Sequence, residues 1–328
     1  MPGTLFKALL LCLALLSTAL SASAQHQPVP GWPALPPDEV LGLCSAVGVD
    51  SHNQVFVFHR RGRQWTNPLS TEPIPEATVT IIDGPSGKCV SSWGSGLFAL
   101  PHGLTVDQKD NIWLTDVALH QVYKFTHDGH LLMTLGERGH PGDDHAHFNL
   151  PTGVAVLPDG SFYVSDGYKN TRVVKFSATG EYQFEWGGKG SEPGQFRLPH
   201  GIALGPQGKV YVCDRSNSRL QVFDVQGHFL DQWQGPHIGR PYGVATDGEG
   251  HVFEVDGGEP SLKSALRGKV VELDAQGKVL DTFGSHGAGL GQFRTGHGIA
   301  VGPDGAVYVA DSGGKRVVKF AKKPAAAP

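Results

Sequence analysis

The feature that most constrains this chain is a cassette that recurs along almost its whole length. Its clearest copy has a strand beginning Leu100-Pro101-His102-Gly103, a polar turn, a second strand ending at Asp116 and a third at 122–125. A degenerate copy begins at Ser45, and later copies begin at Leu150-Pro151-Thr152-Gly153, Leu198-Pro199-His200-Gly201, Arg240-Pro241-Tyr242-Gly243 and Thr295-Gly296-His297-Gly298. A repeat of fixed period outweighs the two-domain prior that 328 residues would otherwise suggest.

Six such units predict an all-β fold, a six-bladed β-propeller. With 45 glycines, 23 prolines and only 18% charged residues, the composition suits many short strands joined by tight turns. Copies of roughly 40–50 residues have room for four strands, and a propeller buries the faces of each sheet against its neighbours. The phrases Gly194-Gln195-Phe196 and Asp214-Arg215-Ser216-Asn217-Ser218-Arg219 resemble NHL repeats. That likeness alone implies a fold and not an activity.

The first 24 residues have the pattern of a signal peptide. Lys7 precedes an apolar run over 8–20, and Ala22-Ser23-Ala24 is a small-x-small cleavage site. The run is short for a membrane-spanning helix, and no other stretch is long enough to span. We therefore expect cleavage after Ala24 and a secreted or periplasmic product that has no membrane contact.

Three segments follow the signal peptide. Residues 25–44 form an extended, proline-rich lead-in, residues 45–321 form the propeller, and residues 322–328 form a disordered tail. The sixth copy stops after its third strand. We therefore expect the lead-in, near 28–40, to supply the missing outer strand and close the ring.

The charge distribution and the cysteine positions argue against two classes of partner and against a disulfide bond. A net charge of −4 without a block of like charges argues against nucleic acid or an anionic membrane as a partner. Cys44 precedes the first strand of its copy and Cys89 lies in the fourth, with Cys213 left over. Strands one and four of a sheet are ~14 Å apart, beyond disulfide reach, so no Cys44–Cys89 bridge is expected.

The third position of the repeated motif, which we call the slot, carries the strongest functional signal. Around the ring the slot holds Ser45, His102, Thr152, His200, Tyr242 and His297. Histidine thus occupies every second blade, at spacings of 98 and 97 residues. Alternate blades of a six-bladed ring are ~120° apart and their first strands line the central channel. Three imidazoles would then converge as in a catalytic zinc site with one open position. The plain alternative is that these histidines only cap a turn.

The end of the second strand lies on the same face of the ring as the slot. Aspartate recurs there at one position in five copies, which indicates a turn-stabilising role. Arg60, Tyr168 and Arg215 depart from the repeat at this position and are better functional candidates. Their structural alternatives are an exposed salt bridge for either arginine and a packed aromatic for Tyr168. The polar insertion over 61–76 is a loop of the kind that often carries function.

Several segments together resemble the peptidyl-α-hydroxyglycine α-amidating lyases, the second catalytic domain of the peptide-amidating enzyme. They are Phe58-His59-Arg60, Leu100-Pro101-His102-Gly103-Leu104, Thr115-Asp116-Val117-Ala118-Leu119-His120-Gln121-Val122, His147-Phe148, Pro151-Thr152 and Ser165-Asp166-Gly167-Tyr168. The likeness covers about 32–320. It implies that His102, His200 and His297 bind zinc (or iron), that Tyr168 is the catalytic tyrosine, and that Arg60 and Arg215 are active-site arginines.

The resemblance implies cleavage of a carbinolamide, R-CO-NH-CH(OH)-COO⁻, to an amide and glyoxylate. The metal would act as a Lewis acid on the hydroxyl or carboxylate oxygen, and Arg60 or Arg215 would hold the carboxylate. Tyr168 would take the hydroxyl proton. A free tyrosine ionises near pH 10, so this role needs a neighbouring cation. The expected partner is a small peptide or hydroxyglycine-type substrate bound by a monomer.

The chain also departs from the family pattern. The family's structural calcium uses two backbone carbonyls, which fall on Val47 and Leu104, and an aspartate whose position is Gly298 here. Loss of the only charged protein ligand argues against calcium. The family's disulfide positions are Asn149 and Lys169. The copper monooxygenase that is fused to the lyase in many animals has no room in this chain, so a separate monooxygenase is expected to supply the substrate.

Two other functions remain open from the sequence. The first is an exported NHL propeller that binds a peptide or glycan without catalysis. The second is a hydrolase that uses the same channel metal, as lactonase propellers do, although those typically use carboxylates and asparagine and not three histidines.

Overall fold

The structure is a computed structural model that describes residues 25–258 and 268–323. Within these residues the chain forms six four-stranded antiparallel sheets, each a blade of a propeller. This confirms the predicted all-β, six-bladed architecture. The expected signal peptide and residues 324–328 of the expected tail lie outside the described residues.

The strands follow in chain order from the lead-in into the first three blades. The lead-in contains β1 (His26–Pro28). Blade one contains β2 (Cys44–Val49), β3 (Gln54–His59), β4 (Val79–Asp83) and β5 (Cys89–Trp93). Blade two contains β6 (Pro101–Val106), β7 (Ile112–Asp116), β8 (Gln121–Phe125) and β9 (Leu131–Leu135). Blade three contains β10 (Pro151–Val156), β11 (Phe162–Asp166), β12 (Arg172–Phe176) and β13 (Tyr182–Gly187).

The remaining blades repeat the arrangement. Blade four contains β14 (Pro199–Leu204), β15 (Val210–Asp214), β16 (Arg219–Phe223) and β17 (Phe229–Gln234), with 3₁₀ turns at Pro206–Gly208 and Arg215–Asn217. Blade five contains β18 (Pro241–Thr246), β19 (Val252–Asp256), β20 (Lys269–Leu273) and β21 (Val279–Phe283). A short parallel pair, β22 (Ser285–His286) and β23 (Gln292–Phe293), precedes blade six, with β24 (Gly296–Val301), β25 (Val307–Asp311) and β26 (Arg316–Lys322).

The N-terminal strand completes blade six. β1 pairs antiparallel with β26, with His26 opposite Lys322 and Pro28 opposite Phe320. The strand lies slightly earlier in the lead-in than the 28–40 stretch expected, and β26 runs one residue past the expected end of the propeller. The lead-in then crosses the seam between blades six and one, where the Trp32 indole donates to the Gly84 carbonyl at 2.9 Å.

The core consists of apolar clusters that fill the seams between neighbouring blades. Phe56, Phe58 and Phe98 pack against Leu114 and Phe125 between blades one and two, and equivalent clusters fill the other five seams. Every residue of β7, β11 and β15 is buried, as the sequence predicts for second strands that are covered on both faces. The seams therefore hold the inner strands in fixed positions around the channel.

Glycine follows the slot in five blades because neighbouring inner strands approach closely there. A Cβ added to Gly103 would lie 2.4 Å from the Thr152 carbonyl oxygen, and one added to Gly201 would lie 2.8 Å from that of Tyr242. Even alanine is too large for these positions without movement of the backbone. The glycines set the spacing of the strands that carry the slot residues.

β2 begins at Cys44 and β5 at Cys89, on opposite edges of blade one, and both thiols are free, as is that of Cys213. Among the described residues, no helix has both the length and the apolar character needed to cross a bilayer.

Replacing Gly103 by alanine should destabilise the protein by about 1–3 kcal/mol, because the new methyl group overpacks the seam against the Thr152 carbonyl. Chemical denaturation followed by circular dichroism measures this free energy. Gly62→Ala is the matched control, since its Cβ would meet no atom within 4 Å. Equal stability of the two variants would contradict the close-packing argument.

Candidate active site

The three slot histidines meet at one end of the channel. Each inner strand has a register break at the slot, for example between Pro101 and Leu104 in β6, and such bulges re-aim side chains. The imidazole centroids of His102, His200 and His297 are each 4.8 Å from the other two, with interplanar angles of 73–74°. All three are almost fully buried. The spacing in sequence therefore becomes threefold symmetry in space, as predicted.

Each histidine is oriented by the next blade around the ring. The Nδ1 atom of His102 lies 2.8 Å from the Thr152 carbonyl oxygen, that of His200 lies 2.5 Å from the Tyr242 carbonyl, and that of His297 lies 2.7 Å from the Ser45 carbonyl. A carbonyl oxygen only accepts, so Nδ1 carries the proton and donates it. The Nε2 atom of each ring is then unprotonated.

The electrostatic surroundings keep the three rings neutral. Burial is the main cause that lowers the pKa of each imidazole, and it brings the pKa of His297 to about 3. The guanidinium groups of Arg60 and Arg215 act in the same direction on the pKa of His297. Neutral imidazole is the form that binds a metal.

The donor set fits a metal ion. One nitrogen from each histidine lies within 4.8 Å of the others, so three unprotonated nitrogens converge in a buried space. The Tyr168 hydroxyl, which lies within 3.2 Å of two of these nitrogens, can donate to only one lone pair at a time, whereas a cation would satisfy all three. Three neutral imidazoles with an open fourth position form the donor set of catalytic zinc sites, in which a carbonyl commonly fixes the tautomer of each ligand.

Tyr168 lies against two of these histidines. Its hydroxyl oxygen is 3.0 Å from His102 Nε2, 3.2 Å from His200 Nε2 and 3.3 Å from Arg215 Nη1, which donates to it. Tyr168 follows β11 and lies on a small apolar platform with Leu69. The platform consists of Ala99, Leu100, Val117, Ala118, Leu119 and Leu150. The segment after Asp116 thus positions the tyrosine.

Arg215 lies between two aromatic rings. Its guanidinium carbon is 5.2 Å from the Tyr168 ring centroid and 4.6 Å from that of Tyr242. Among the described residues, its buried Nε atom has no hydrogen-bond partner. Cation–π contacts on both sides fix the plane of the guanidinium while one donor stays available.

Arg60 lies on the opposite side of the site. Its Nε donates to the Pro101 carbonyl at 2.7 Å, and its side chain is almost fully buried. Burial lowers the pKa of this guanidinium, while Tyr168 and Asp116 raise it. Arg60 also contacts the Trp65 ring at 5.8 Å from its centroid.

The recurring aspartates hold the turn that precedes each slot, as predicted. Asp116 accepts hydrogen bonds from the backbone amides of Ala99 and Leu100 at 2.7 and 2.9 Å. Asp166, Asp214, Asp256 and Asp311 accept from the equivalent amides in their blades. These carboxylates are therefore structural.

Val47, Leu104 and Gly298 all line the channel on the far side of the histidines, a cavity of about 510 Å³. A Cβ at Gly298 would lie 2.9 Å from the Ala46 Cα. An aspartate at this position would need the two inner strands to move apart. The backbones of the two inner strands therefore approach closely at Gly298.

Some features of the site escaped the sequence reasoning. The indole of Trp65, from the 61–76 insertion, lies 4.9 Å from the Tyr168 ring and is 43% exposed. The length and polarity of the 61–76 insertion predict a functional loop, but they do not identify Trp65 within it. Tyr242 is in the sequence only a slot residue, whereas in the structure its ring contacts Arg215 and its carbonyl orients His200. Backbone carbonyls have no sequence signal.

The fold and the site define a class: an NHL propeller with a three-histidine cluster in its channel. The NHL repeat family matches residues 148–176, 196–223 and 295–320. A solved structure of virginiamycin B lyase from Staphylococcus aureus aligns with a TM-score of 0.55 at 13% identity, over 87% of this chain and 96% of that one. At that identity the likeness shows the fold alone.

Relatives with higher sequence identity identify a narrower family. Peptidyl-alpha-hydroxyglycine alpha-amidating lyase 2 of Drosophila melanogaster is 33% identical over 305 residues, which cover 87% of this chain and 72% of that protein. Peptidyl-glycine alpha-amidating monooxygenase B of Xenopus laevis is 36% identical over 90% of this chain, but the match spans only 35% of that longer protein. The chain belongs to the peptidyl-α-hydroxyglycine α-amidating lyase family, which confirms the resemblance seen in the sequence.

Proposed function

We propose that this protein is a zinc-dependent lyase that cleaves the C–N bond of a peptidyl-α-hydroxyglycine and releases a peptide amide and glyoxylate. The observation that carries the proposal is the position of the Tyr168 hydroxyl, 3.0 and 3.2 Å from the Nε2 atoms of His102 and His200. A metal-binding cluster and a proton acceptor are thereby adjacent. A structural metal site would not need this tyrosine.

His102, His200 and His297 would hold the ion. When bound, it supplies Lewis-acid polarisation of a substrate oxygen. The remaining chemistry belongs to the side chains around it. Two guanidinium groups face the cluster, so the site suits a substrate that carries a carboxylate.

Arg215 is the residue that we assign to the substrate carboxylate. Its Nε donor is buried and has no partner among the described residues, and a guanidinium fork can bind a carboxylate through two donors. The stacking on Tyr168 and Tyr242 holds the fork in one plane before substrate arrives. Less conformational entropy is then lost on binding.

Tyr168 is the residue that we assign to the proton. It would take the proton of the substrate hydroxyl as the carbonyl of glyoxylate forms and the C–N bond breaks. The leaving amide nitrogen gains a proton in the same reaction, so the proton taken by the tyrosine can be returned to it. Arg215 Nη1 donates to the phenol oxygen at 3.3 Å, and a cationic donor stabilises negative charge on that oxygen.

The cellular setting is also part of the proposal. The N-terminal pattern around Lys7 and Ala24 supports export to the periplasm or the exterior. The exported protein would act as a monomer on a small peptide or hydroxyglycine. The hydroxylated substrate would come from a monooxygenase on a separate polypeptide.

The deciding experiment measures metal content and glyoxylate release together. The purified protein should contain zinc or iron and release glyoxylate from α-hydroxyhippurate. His200→Ala should remove both the channel metal and the activity, because two imidazoles hold an ion poorly. His130→Ala, a change at an exposed histidine, is the control and should alter neither. A protein with bound metal and no glyoxylate release would favour a hydrolase, and one with no channel metal would favour a non-catalytic propeller.

Tyr168→Phe should lower kcat by about 10²–10⁴-fold and leave the metal content unchanged, because it removes the proton acceptor but keeps the ring on its platform. Steady-state kinetics with metal analysis on the same sample measures both. Full turnover in this variant would show that another group takes the proton.

Arg215→Lys should raise KM by about 10–100-fold with a smaller change in kcat, because the charge remains but the fork is lost. Arg197→Lys, at an exposed arginine of the same blade, should leave both constants unchanged. An unchanged KM in the Arg215 variant would assign the carboxylate to another residue.

A further inference from the structure

A second cluster of metal-ligating side chains lies at the seam between blades five and six, apart from the channel site. It forms around His26 of β1, the strand that closes the ring. The imidazole of His26 points into the seam, where it stacks on Phe283 at 4.6 Å and meets the edge of Phe253 at 5.8 Å. The side chain of His26 is 1% exposed. His26 is therefore buried, although it lies on the short strand at the N-terminal end of the propeller.

The hydrogen bonding of His26 leaves one nitrogen unused. Its Nε2 lies 3.3 Å from the Gly305 carbonyl oxygen, to which it donates. In the neutral ring Nδ1 then carries the lone pair. That atom points at two carboxylates, 3.6 Å from Glu272 Oε2 and 3.9 Å from Asp281 Oδ2. Three electron-pair donors therefore face one another.

Two of these atoms lack any hydrogen-bond partner. Across the described ranges 25–258 and 268–323, His26 Nδ1 and Glu272 Oε2 are both buried and unpaired. Glu272 lies in the middle of β20, and its side chain is 2% exposed. A buried polar group without a partner costs about 1–3 kcal/mol. An ion between the two atoms would remove this penalty.

Among the described residues, the charged groups around this space have partners of their own. Asp281 Oδ2 accepts a hydrogen bond at 2.6 Å from the nitrogen of Gln25, which the expected cleavage after Ala24 would make the α-ammonium group of the chain. Lys322, the residue opposite His26, makes its ion pair with the exposed Glu249 at 3.1 Å. The other oxygen of Glu272 lies 3.3 Å from His251 Nδ1. Within the described residues, the cluster thus has an orienting partner for Glu272 and no lysine or arginine paired with Glu272 or His26.

We propose that His26, Glu272 and Asp281 bind a divalent transition-metal ion, zinc by its donor set, which fastens the N-terminal strand to blade five. Zinc bound to nitrogen and carboxylate oxygen at about 2.1 Å has tetrahedral ligands about 3.4 Å apart. The separations of 3.6 and 3.9 Å are close to that value, and all three ligand atoms lie within 4.8 Å of one another. His251 would be the outer partner that orients Glu272.

The ion would have a structural role. β1 is a short strand at the edge of blade six, with three residue pairs to β26 and one backbone hydrogen bond on either side of them, at Gln25 and Val29. A metal that links His26 to β20 and β21 adds a cross-link to the neighbouring blade, so that the ring closes through two independent attachments. Binding to the folded state alone stabilises that state. The site shares no residue with the channel site, and the inference does not rest on the proposed lyase activity.

The test measures zinc per chain in the full-length protein, purified with zinc and without chelator, for wild type, His200→Ala, Glu272→Gln and the double variant. We expect wild type to bind one more equivalent than Glu272→Gln, His200→Ala to retain one, and the double variant to bind none. A chelator should lower the Tm of His200→Ala by several degrees and leave that of the double variant unchanged.

Two further variants test whether zinc is lost because a ligand is removed or because the seam is disrupted. His26→Phe keeps the stack on Phe283 and should also lose the seam equivalent while it keeps the channel metal and a cooperative unfolding transition. Glu249→Gln changes an exposed carboxylate of the same seam and should keep both ions. Equal zinc in wild type, Glu272→Gln and His26→Phe would overturn the proposal and leave a proton shared between Glu272 and His26. The proposal would also be overturned if Glu249→Gln lost zinc while Glu272→Gln and His26→Phe kept it.

Discussion

A hydrogen bond from each channel histidine to the backbone of the next blade is the interaction on which the site depends. The acceptors are the carbonyls of Thr152, Tyr242 and Ser45, which occupy the slots between the histidines. Each bond requires the two inner strands to lie close together, and glycine after the slot permits that approach. The tautomer of every channel histidine is therefore fixed by main-chain geometry.

The distribution of charge around the histidines suits an anionic substrate. Burial keeps the imidazoles neutral, and two guanidinium groups approach from opposite sides. The aspartates nearest the slots bind backbone amides in the turns that precede the slots. Asp116, for example, accepts four such amides, from Ala99, Leu100, Ala118 and Leu119. The aspartate that recurs in five of the six blades thus stabilises the turns, and Arg60 and Arg215, which depart from the repeat, carry the positive charge at the site.

Much of the fold and part of the site could be predicted from the sequence, because a repeat converts position along the chain into position around a ring. The period of the repeat predicts the six blades, and the residues at the slot predict that His102, His200 and His297 converge. Trp65 lies in a loop that no repeat constrains, so its contact with Tyr168 could not be predicted. The seam cluster joins His26 to Glu272 through ring closure, and these residues are far apart in sequence. The short strand β1 likewise has too few residues for a period to be visible.

The pairing of β1 with β26 has a consequence for the order in which the protein folds. His26 is made near the start of synthesis and its partner Lys322 near the end. The outer edge of the last blade therefore cannot be completed until almost the entire polypeptide has left the ribosome. Blades one to five can form from local contacts as they emerge, whereas ring closure is a single long-range step and is expected to be slow. A nascent or C-terminally truncated chain would retain an open seam between its first and last blades.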